Sequence, residues 1–434
     1  MILNRDIYIL LFIAIVSSTF AFIVHEGETD SERQAIRLLT AKSPIHFDAI
    51  QSITLQKNGK VYEFNRLDLE WWMTSPYQIR MNTSSMSALI RVVQGSQVIG
   101  VFADGANRKV IGLGDQSDSI SMSDGNEVVS IRLGRKTLGG RAYAQIGDEE
   151  PVIIDQSLHR RAIDMDYRLW RDLRFFPDFA IDGIRIERIA NTNRLVLDRT
   201  SGRWEMVYPV KARVDQEVLL EWVGKLASIR VGSFVIDAPN DLALFGLDNP
   251  VASFSVRNQT GITHELLIGG RVSAGSQDRY VMMAGRPIVD KVKWEALSEL
   301  FLQPELLVDA TGSAVSRFDV KQITVRSDGN EFRIQRRLEQ WVNENGVPVN
   351  IEDVDALLTW VLDSNPPRVV IAQYPRDVEI ATITLEGYDL LPLDTVRIAQ
   401  DPESAGLILE NGDNVLRLHP AESLTVLSPF IQKK

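Results

Sequence analysis

The sequence predicts an α+β fold: three tandem repeats, each an antiparallel sheet packed on one or two helices, preceded by one N-terminal transmembrane helix. Three observations carry that expectation. A stretch near the N-terminus runs uncharged for 18 residues, from Ile7 to Val24. One cluster of typed residues returns at a nearly fixed interval, and hairpin signals precede an amphipathic helix in each interval. The 434 residues also exceed what one ordinary core holds.

The first element is the uncharged stretch, IYILLFIAIVSSTFAFIV. As a helix it reaches about 27 Å, close to the roughly 30 Å of a bilayer's hydrocarbon. Ser17, Ser18 and Thr19 are tolerable there because hydroxyls bond back to helix carbonyls. Arg5 precedes the stretch, while Glu26, Glu28, Asp30 and Glu32 follow it. The basic residue sets the expected orientation: N-terminus in the cytoplasm, the bulk of the chain outside it, the helix a single pass. Residues 1–46 are thus expected to form an anchor (about 7–24) and a connector. A cleaved signal peptide is the alternative, with apolar Ile7–Val16 and small Thr19 and Ala21 before a cut. Cleavage there would leave Phe22, Ile23 and Val24 as an exposed apolar start.

The repeat comes next. Trp71-x-Met73-x-x-Pro76-x-x-x-Arg80 returns as Trp204-x-Met206-x-x-Pro209-x-x-x-Arg213. Asn82 and Asp215 follow, each with apolar residues four, seven and eight positions on: Met86, Leu89 and Ile90, then Leu219, Trp222 and Val223. A third copy has Trp341, then Asn350 with Val354, Leu357 and Leu358. Asn and Asp cap helices by accepting their free N–H groups, and the three offsets place one apolar stripe on each helix. Helices are expected over about 82–94, 215–228 and 350–362. The repeats are expected over 47–178, 179–309 and 310–434.

Strand pairs precede each helix. Ile50, Ile53 and Leu55, then Val61, Tyr62 and Phe64, bracket Lys57-Asn58-Gly59. Phe318, Val320, Ile323 and Val325, then Phe332 and Ile334, bracket Ser327-Asp328-Gly329-Asn330. In the second copy Ile184, Ile186 and Ile189 precede Leu195 and Leu197. Alternation around Asn-Gly or Asp-Gly is a hairpin signal. The second half of a unit reads most clearly in copy two. Phe245-Gly246-Leu247 leads to Phe254 and Val256, then Leu266-Leu267-Ile268-Gly269-Gly270 and Tyr280-Val281-Met282, with a short helix about 291–301. Copy one echoes it with Ile111-Gly112-Leu113-Gly114, Ile131, Leu133-Gly134 and Tyr143, and a closing helix about 156–170. Copy three has no Gly-Leu signature and reads as degenerate in its second half. Its strands near 381–386, 394–399, 406–410 and 414–418 rest on alternation alone.

Together these motifs resemble an uncharacterised bacterial family, domain of unknown function 4340. The resemblance lies in the Trp-x-Met-x-x-Pro step, the Asn/Asp-started helix ending near Leu226-Ala227-Ser228-Ile229-Arg230, Asp241-x-x-x-Phe245-Gly246-Leu247-x-x-Pro250 and the Leu-Ile-Gly strand. It spans about 47–430. The resemblance implies a membrane-tethered extracytoplasmic protein of the kind often encoded beside gliding-type ABC-transporter components. It carries no catalytic residues over.

Composition and motifs narrow the chemistry. The chain has a net charge of −11, which argues against a nucleic-acid partner. The charge is uneven, −2 in each of residues 1–178 and 179–309 and −7 in residues 310–434. Cysteine is absent, which excludes disulfides, thiol catalysis and Cys-ligated metal. His25, His46, His159, His264 and His419 are scattered without metal-ligand spacing, so no metal is expected. Neither a nucleophile elbow, a Walker loop nor a dinucleotide fingerprint occurs. Asp328-Gly329-Asn330 and Asn411-Gly412-Asp413-Asn414 lack the carboxylates of a calcium loop and read as turns. Asp353 and Asp355 suit a helix start.

Two groups of residues carry a choice. Trp71, Trp204 and Trp341 recur at one place in each unit, which favours the core over sugar stacking; Trp72 and Trp360 fall outside the typed pattern and are candidates for exposure. Arg160, Arg161, Arg168, Arg171 and Arg174 are interleaved with Asp164, Asp166 and Asp172, a pattern of local ion pairs before one of partner or lipid-headgroup contact. No catalytic, cofactor-binding or metal-binding residue is assigned. The expectation is a non-enzymatic accessory or scaffold protein of an integral-membrane complex, of the transporter type that the resemblance implies. The alternative is an extracytoplasmic glycan- or ligand-binding module that uses exposed Trp or a cleft between units.

Overall fold

The computed structural model describes residues 37–101, 108–177, 179–338 and 340–431. The expected anchor, about 7–24, lies outside them. Among the described residues no helix is long and apolar enough to cross a membrane.

Three antiparallel sheets make up the fold. The first contains β1 (Arg37–Leu38), β2 (Ser52–Lys57), β3 (Lys60–Leu67), β4 (Glu70–Ser75), β5 (Ile79–Arg80), β6 (Gln97–Val101), β7 (Asp118–Ser123), β8 (Val128–Thr137), β9 (Arg141–Ile146) and β10 (Val152–Asp155). The second contains β11 (Gly183–Ala190), β12 (Asn193–Thr200), β13 (Arg203–Tyr208), β14 (Ala212–Arg213), β15 (Ser233–Asp237), β16 (Ala252–Asn258), β17 (Thr263–Arg271), β18 (Arg279–Met283) and β19 (Ile288–Val292). The third contains β20 (Gln322–Ser327), β21 (Asn330–Arg337), β22 (Gln340–Asn343), β23 (Arg368–Ile371), β24 (Glu379–Glu386), β25 (Pro392–Gln400), β26 (Leu407–Glu410) and β27 (Val415–His419).

One strand order serves all three. It reads β4-β3-β2-β7-β8-β9-β10-β6 in the first sheet, β13-β12-β11-β16-β17-β18-β19-β15 in the second, and β22-β21-β20-β24-β25-β26-β27-β23 in the third. The third unit's second half lacks the Gly-Leu turn, yet its four strands stand where alternation places them and in the order of the others. Short edge strands β5 and β14 flank the first two, and β1 adds a further edge to β6.

The order explains the helices. In each unit the strand after the helix pairs at the edge opposite the strand before it, so the helix must cross the sheet. Helices α1 (Thr83–Gly95), α2 (Gln216–Ser228) and α3 (Ile351–Leu362) make that crossing. Their caps are the expected ones: Asn82 accepts the Ser85 N–H, Asp215 those of Glu217 and Val218, and Asn350 that of Glu352. The stripes face the sheets. Met86, Leu89 and Val93 are buried on α1, Leu219, Trp222, Val223 and Leu226 on α2, and Val354, Leu357, Leu358 and Val361 on α3. Each such side chain contributes about 1.5–3 kcal/mol of burial.

Hairpin chemistry is equally local. Asn58 and Gly59 (φ 51° and 73°) turn β2 into β3, and Asp328 and Gly329 (φ 51° and 77°) turn β20 into β21. Positive φ at both central residues matches the right-handed twist of the strands. Three boundaries differ from expectation. The single helix over 156–170 is instead a helical turn (Ser157–His159), a π-turn (Arg160–Asp164) and a 3-10 turn (Tyr167–Trp170). Strand β19 takes the start of the helix expected over 291–301, leaving Trp294–Ser298 helical. Phe318 precedes β20 and is exposed, since pairing begins at Gln322.

By contacts the chain divides into two compact units, residues 1–173 and 174–434, and the second holds both the second and third sheets. One reason is shared packing. Val415 of β27 belongs to the second sheet's core, and Val369 and Ile371 of β23 pack against it. A smaller cluster lies on the opposite face of each of these two sheets. It is Leu247, Met282 and Val289 with Phe245 and Tyr280 on the second, and Tyr374, Ala399, Ile408 and Leu416 on the third.

Candidate functional site

The recurring residues hold the fold. Trp71, Trp204 and Trp341 are all buried, as are Met73 and Met206 beside the first two. Trp360, a candidate for exposure, is buried too, its ring edge-on to His419 at 5.6 Å. Trp72 is half-buried. The glycines act through close approach. A Cβ on Gly134 would stand 2.5 Å from the Ile111 carbonyl oxygen, and one on Gly269 would stand 2.4 Å from that of Phe245. The loop glycines, Gly112 and Gly246, have φ of 79° and 63°, which lets the chain turn there. Leu113 and Leu247 behind them are buried.

The basic stretch is internally engaged. The Arg168 guanidinium forks onto Asp166, with its shortest contact at 2.8 Å. Lys136 pairs with Asp164 at 2.8 Å, and Arg161 donates to the Ser85 carbonyl at 3.0 Å. Arg171 is buried with its guanidinium 5.3 Å from the Tyr167 ring centre. These contacts fix the π-turn and 3-10 turn against α1.

The histidines stay apart. His46 sits on Asp124 at 3.3 Å, and that carboxylate also accepts the main-chain N–H groups of His46, Glu127 and Asn126, which hold it well below the usual carboxylate range. His159 lies 2.8 Å from the Gly134 carbonyl; burial pushes its pKa down. Burial, with Arg417 second, pushes His419 down to about 4. His25 lies outside the described residues. Among the described residues no three His, Asp or Glu side chains gather as a metal site. Asp355 pairs with Arg317 at 2.9 Å, and Asp353 lies in the first turn of α3.

One charged cluster escaped sequence reading. The Arg213 guanidinium meets Asp309 at 2.9 Å and donates to the Thr311 carbonyl at 2.9 Å. Fully buried Arg417 donates to the Asp309 carbonyl at 3.0 Å, to Asp413 at 2.8 Å and to the Val415 carbonyl at 3.0 Å. Two guanidinium forks thus clamp the connection from the second sheet to the third. Burial lowers the pKa of Arg213, and Asp309 draws it back up. The available signal was Arg80 and Arg213, both two residues before a helix cap. Close by, Ser313 donates to Asp394 at 2.5 Å and accepts the Val315 N–H at 3.3 Å.

An open groove beside the C-terminal end of α2 is lined by Lys225, Arg230, Gly232, Lys293 and Glu299. The Lys225 ammonium donates to Glu221 (2.9 Å) and Glu299 (3.4 Å), and these hydrogen bonds raise its pKa, so that ammonium is already committed.

A family model described as "Domain of unknown function (DUF4340)" matches residues 71–207 and again 204–365. Neither the curated proteins nor the solved structures give a match. Each matched segment opens at a recurring tryptophan, Trp71 or Trp204, and runs past the start of the next strand–helix step. The matches cover more than half of the chain, which therefore belongs to the DUF4340 family.

Proposed function

We propose that the protein is a non-enzymatic, membrane-anchored accessory or scaffold protein of an integral-membrane complex in the bacterial envelope, of the ABC-transporter type. Its anchor is the uncharged segment from Ile7 to Val24, and its bulk is periplasmic. The observation that carries the reading is the use made of the repeated residues. Trp71, Trp204 and Trp341 are buried, Gly134 and Gly269 pack on carbonyls, and the Arg213–Asp309 pair clamps a connection. A chain that spends its recurring side chains on repeated sheets leaves its exposed faces for partners, as tandem-repeat proteins do.

Affinity purification from detergent-solubilised membranes tests this. The expected result is a stoichiometric integral-membrane partner retained through washing. Binding to isolated wall polymer with no membrane partner would favour the glycan-binding module instead. Recovery of the intact chain in the soluble cytosolic fraction would overturn both.

A further inference from the structure

The hairpin joining β17 to β18 has a charge pattern that its fold does not require. Arg271 and Arg279 are directly opposed across the two strands. Like charges at opposed positions repel, and a sheet normally avoids them. Among the described residues neither arginine has a carboxylate within ion-pair distance. Arg279 is steered by stacking, its guanidinium 5.3 Å from the Trp294 ring centre, and its Nε is buried without a hydrogen-bond partner. Burial and the Arg271 charge lower the Arg279 pKa, the direction expected for two unneutralised cations.

The loop between them, Val272-Ser273-Ala274-Gly275-Ser276-Gln277-Asp278, is held open and in place. The Val272 N–H bonds the Asp278 carbonyl at 3.0 Å, Ser276 N–H bonds the Ser273 carbonyl at 3.1 Å, and Asp278 N–H bonds Ser276 Oγ at 3.1 Å. The only carboxylate of the loop, on Asp278, accepts the Trp294 N–H at 3.3 Å. Ser273, Ala274 and Gly275 are exposed, and a Cβ added to Gly275 would meet nothing beyond its chain neighbours within 4 Å.

The sister hairpins differ. In the first unit Lys136, near the same turn, is neutralised by Asp164. In the third unit the turn carries Asp401 and Glu403. The arginine pair therefore belongs to the second unit alone and is no demand of the shared strand order.

We propose that Arg271, Arg279 and the Ser273–Gly275 rim form a binding site for a phosphate-class oxyanion. A guanidinium fork offers paired N–H groups, a geometry that the oxygens of a tetrahedral oxyanion accept. Exposed Ser273 adds a hydroxyl donor at the same turn. The anion removes the Arg–Arg repulsion that the free protein carries. A free phosphate compound and a phospholipid headgroup share this chemistry. The site stands independently of the scaffold reading.

Calorimetric titration of the detergent-solubilised full chain tests it, with pyrophosphate in one arm and phosphatidylglycerol mixed micelles in the other. Saturable binding is expected in at least one arm, weakened at least tenfold in Arg271→Gln and in Arg279→Gln, and unchanged in Lys136→Gln. A response to pyrophosphate alone assigns a free oxyanion, and a stronger one to phosphatidylglycerol assigns a headgroup. The Arg271 side chain makes no hydrogen bond, ion pair or ring contact among the described residues, so Arg271→Gln decides the matter should Arg279→Gln lose the Trp294 stacking and unfold. No binding in either arm, or binding that Arg271→Gln leaves intact, overturns the proposal.

Discussion

Arg213 and Asp309 face each other at 2.9 Å where the second sheet hands the chain to the third, and Arg80 and Asp172 hold the matching places in the first unit at 4.0 Å. The main chain repeats too. Asp309 N–H bonds the Arg213 carbonyl and Asp172 N–H that of Arg80, both at 3.0 Å. In the third unit Pro348 stands two residues before the cap, where the others have arginine; its main chain bridges to Val342 as Arg80 pairs with Trp72 and Arg213 with Glu205, and only the guanidinium is missing.

Removing the acid from the closer pair leaves Arg213 and Arg417 together with less counter-charge. Asp309→Ala is expected to cost about 1–3 kcal/mol, given that the pair is three-quarters buried and hydrogen-bonded. Urea unfolding measures it, and an unchanged midpoint would show the pair to be decorative.

Two glycines are predicted to respond oppositely to a methyl group. Gly269→Ala places a Cβ 2.4 Å from the Phe245 oxygen, so the strand or loop must shift, at a cost of about 2 kcal/mol or more. Gly224 lies within α2 with nothing within 4 Å, and Gly224→Ala is expected to gain about 0.5–1 kcal/mol from helix propensity. Thermal unfolding of the two variants side by side separates close approach from backbone freedom.

Tryptophan truncation distinguishes architecture from recognition. Trp204→Ala and Trp360→Ala are each expected to destabilise by about 3–5 kcal/mol, as for other buried aromatic residues, and half-buried Trp72→Ala by less. Should Trp360→Ala leave stability intact, its burial against α3's neighbours would be misjudged and the ligand-binding reading would regain weight.

Acid is predicted to act through His419. Its folded pKa of about 4 lies below the unfolded value near 6.5, so the unfolded chain binds more protons between the two. Its contribution is complete above about pH 6.5 and is lost as pH falls toward 4. His159 shifts in the same direction, through burial. The difference in urea midpoint between the parent and His419→Gln, followed from pH 7 to 4, isolates the residue: it should narrow as pH falls.

Local features were legible in the sequence because local chemistry decides them. The caps at Asn82, Asp215 and Asn350 and the turns at Asn58-Gly59 and Asp328-Gly329 each depend on one or two side chains. The buried tryptophans were legible because they recur. What escaped depends on distant residues. Nothing near Arg160 announces that contacts with Ser85, through Arg161, would accompany a π-turn in place of a continuous helix.

The third unit shows the same limit. Ile398-Ala399 stands where the second sheet has Ile268-Gly269, since each isoleucine occupies one strand position on the same core face. Alanine is small enough there because Tyr374, and not a Phe-Gly-Leu turn, packs over it. The glycine signature vanished while the strand order stayed. Trp360 departed from the typed pattern for a related reason: α3 also buries the flank that faces His419.

The chain has no cysteine, which gives a clean background for testing the shared strand order. Three double variants, Thr54→Cys with Ser121→Cys, Glu187→Cys with Ser255→Cys, and Arg326→Cys with Thr382→Cys, place thiols across the equivalent pairings β2–β7, β11–β16 and β20–β24. Opposed Cβ atoms lie about 4.5–5.5 Å apart, within reach of a short thiol cross-linker. Rapid, near-complete intramolecular cross-linking in all three is the predicted result. Failure of the third pair while the first two react would contradict a single module built three times.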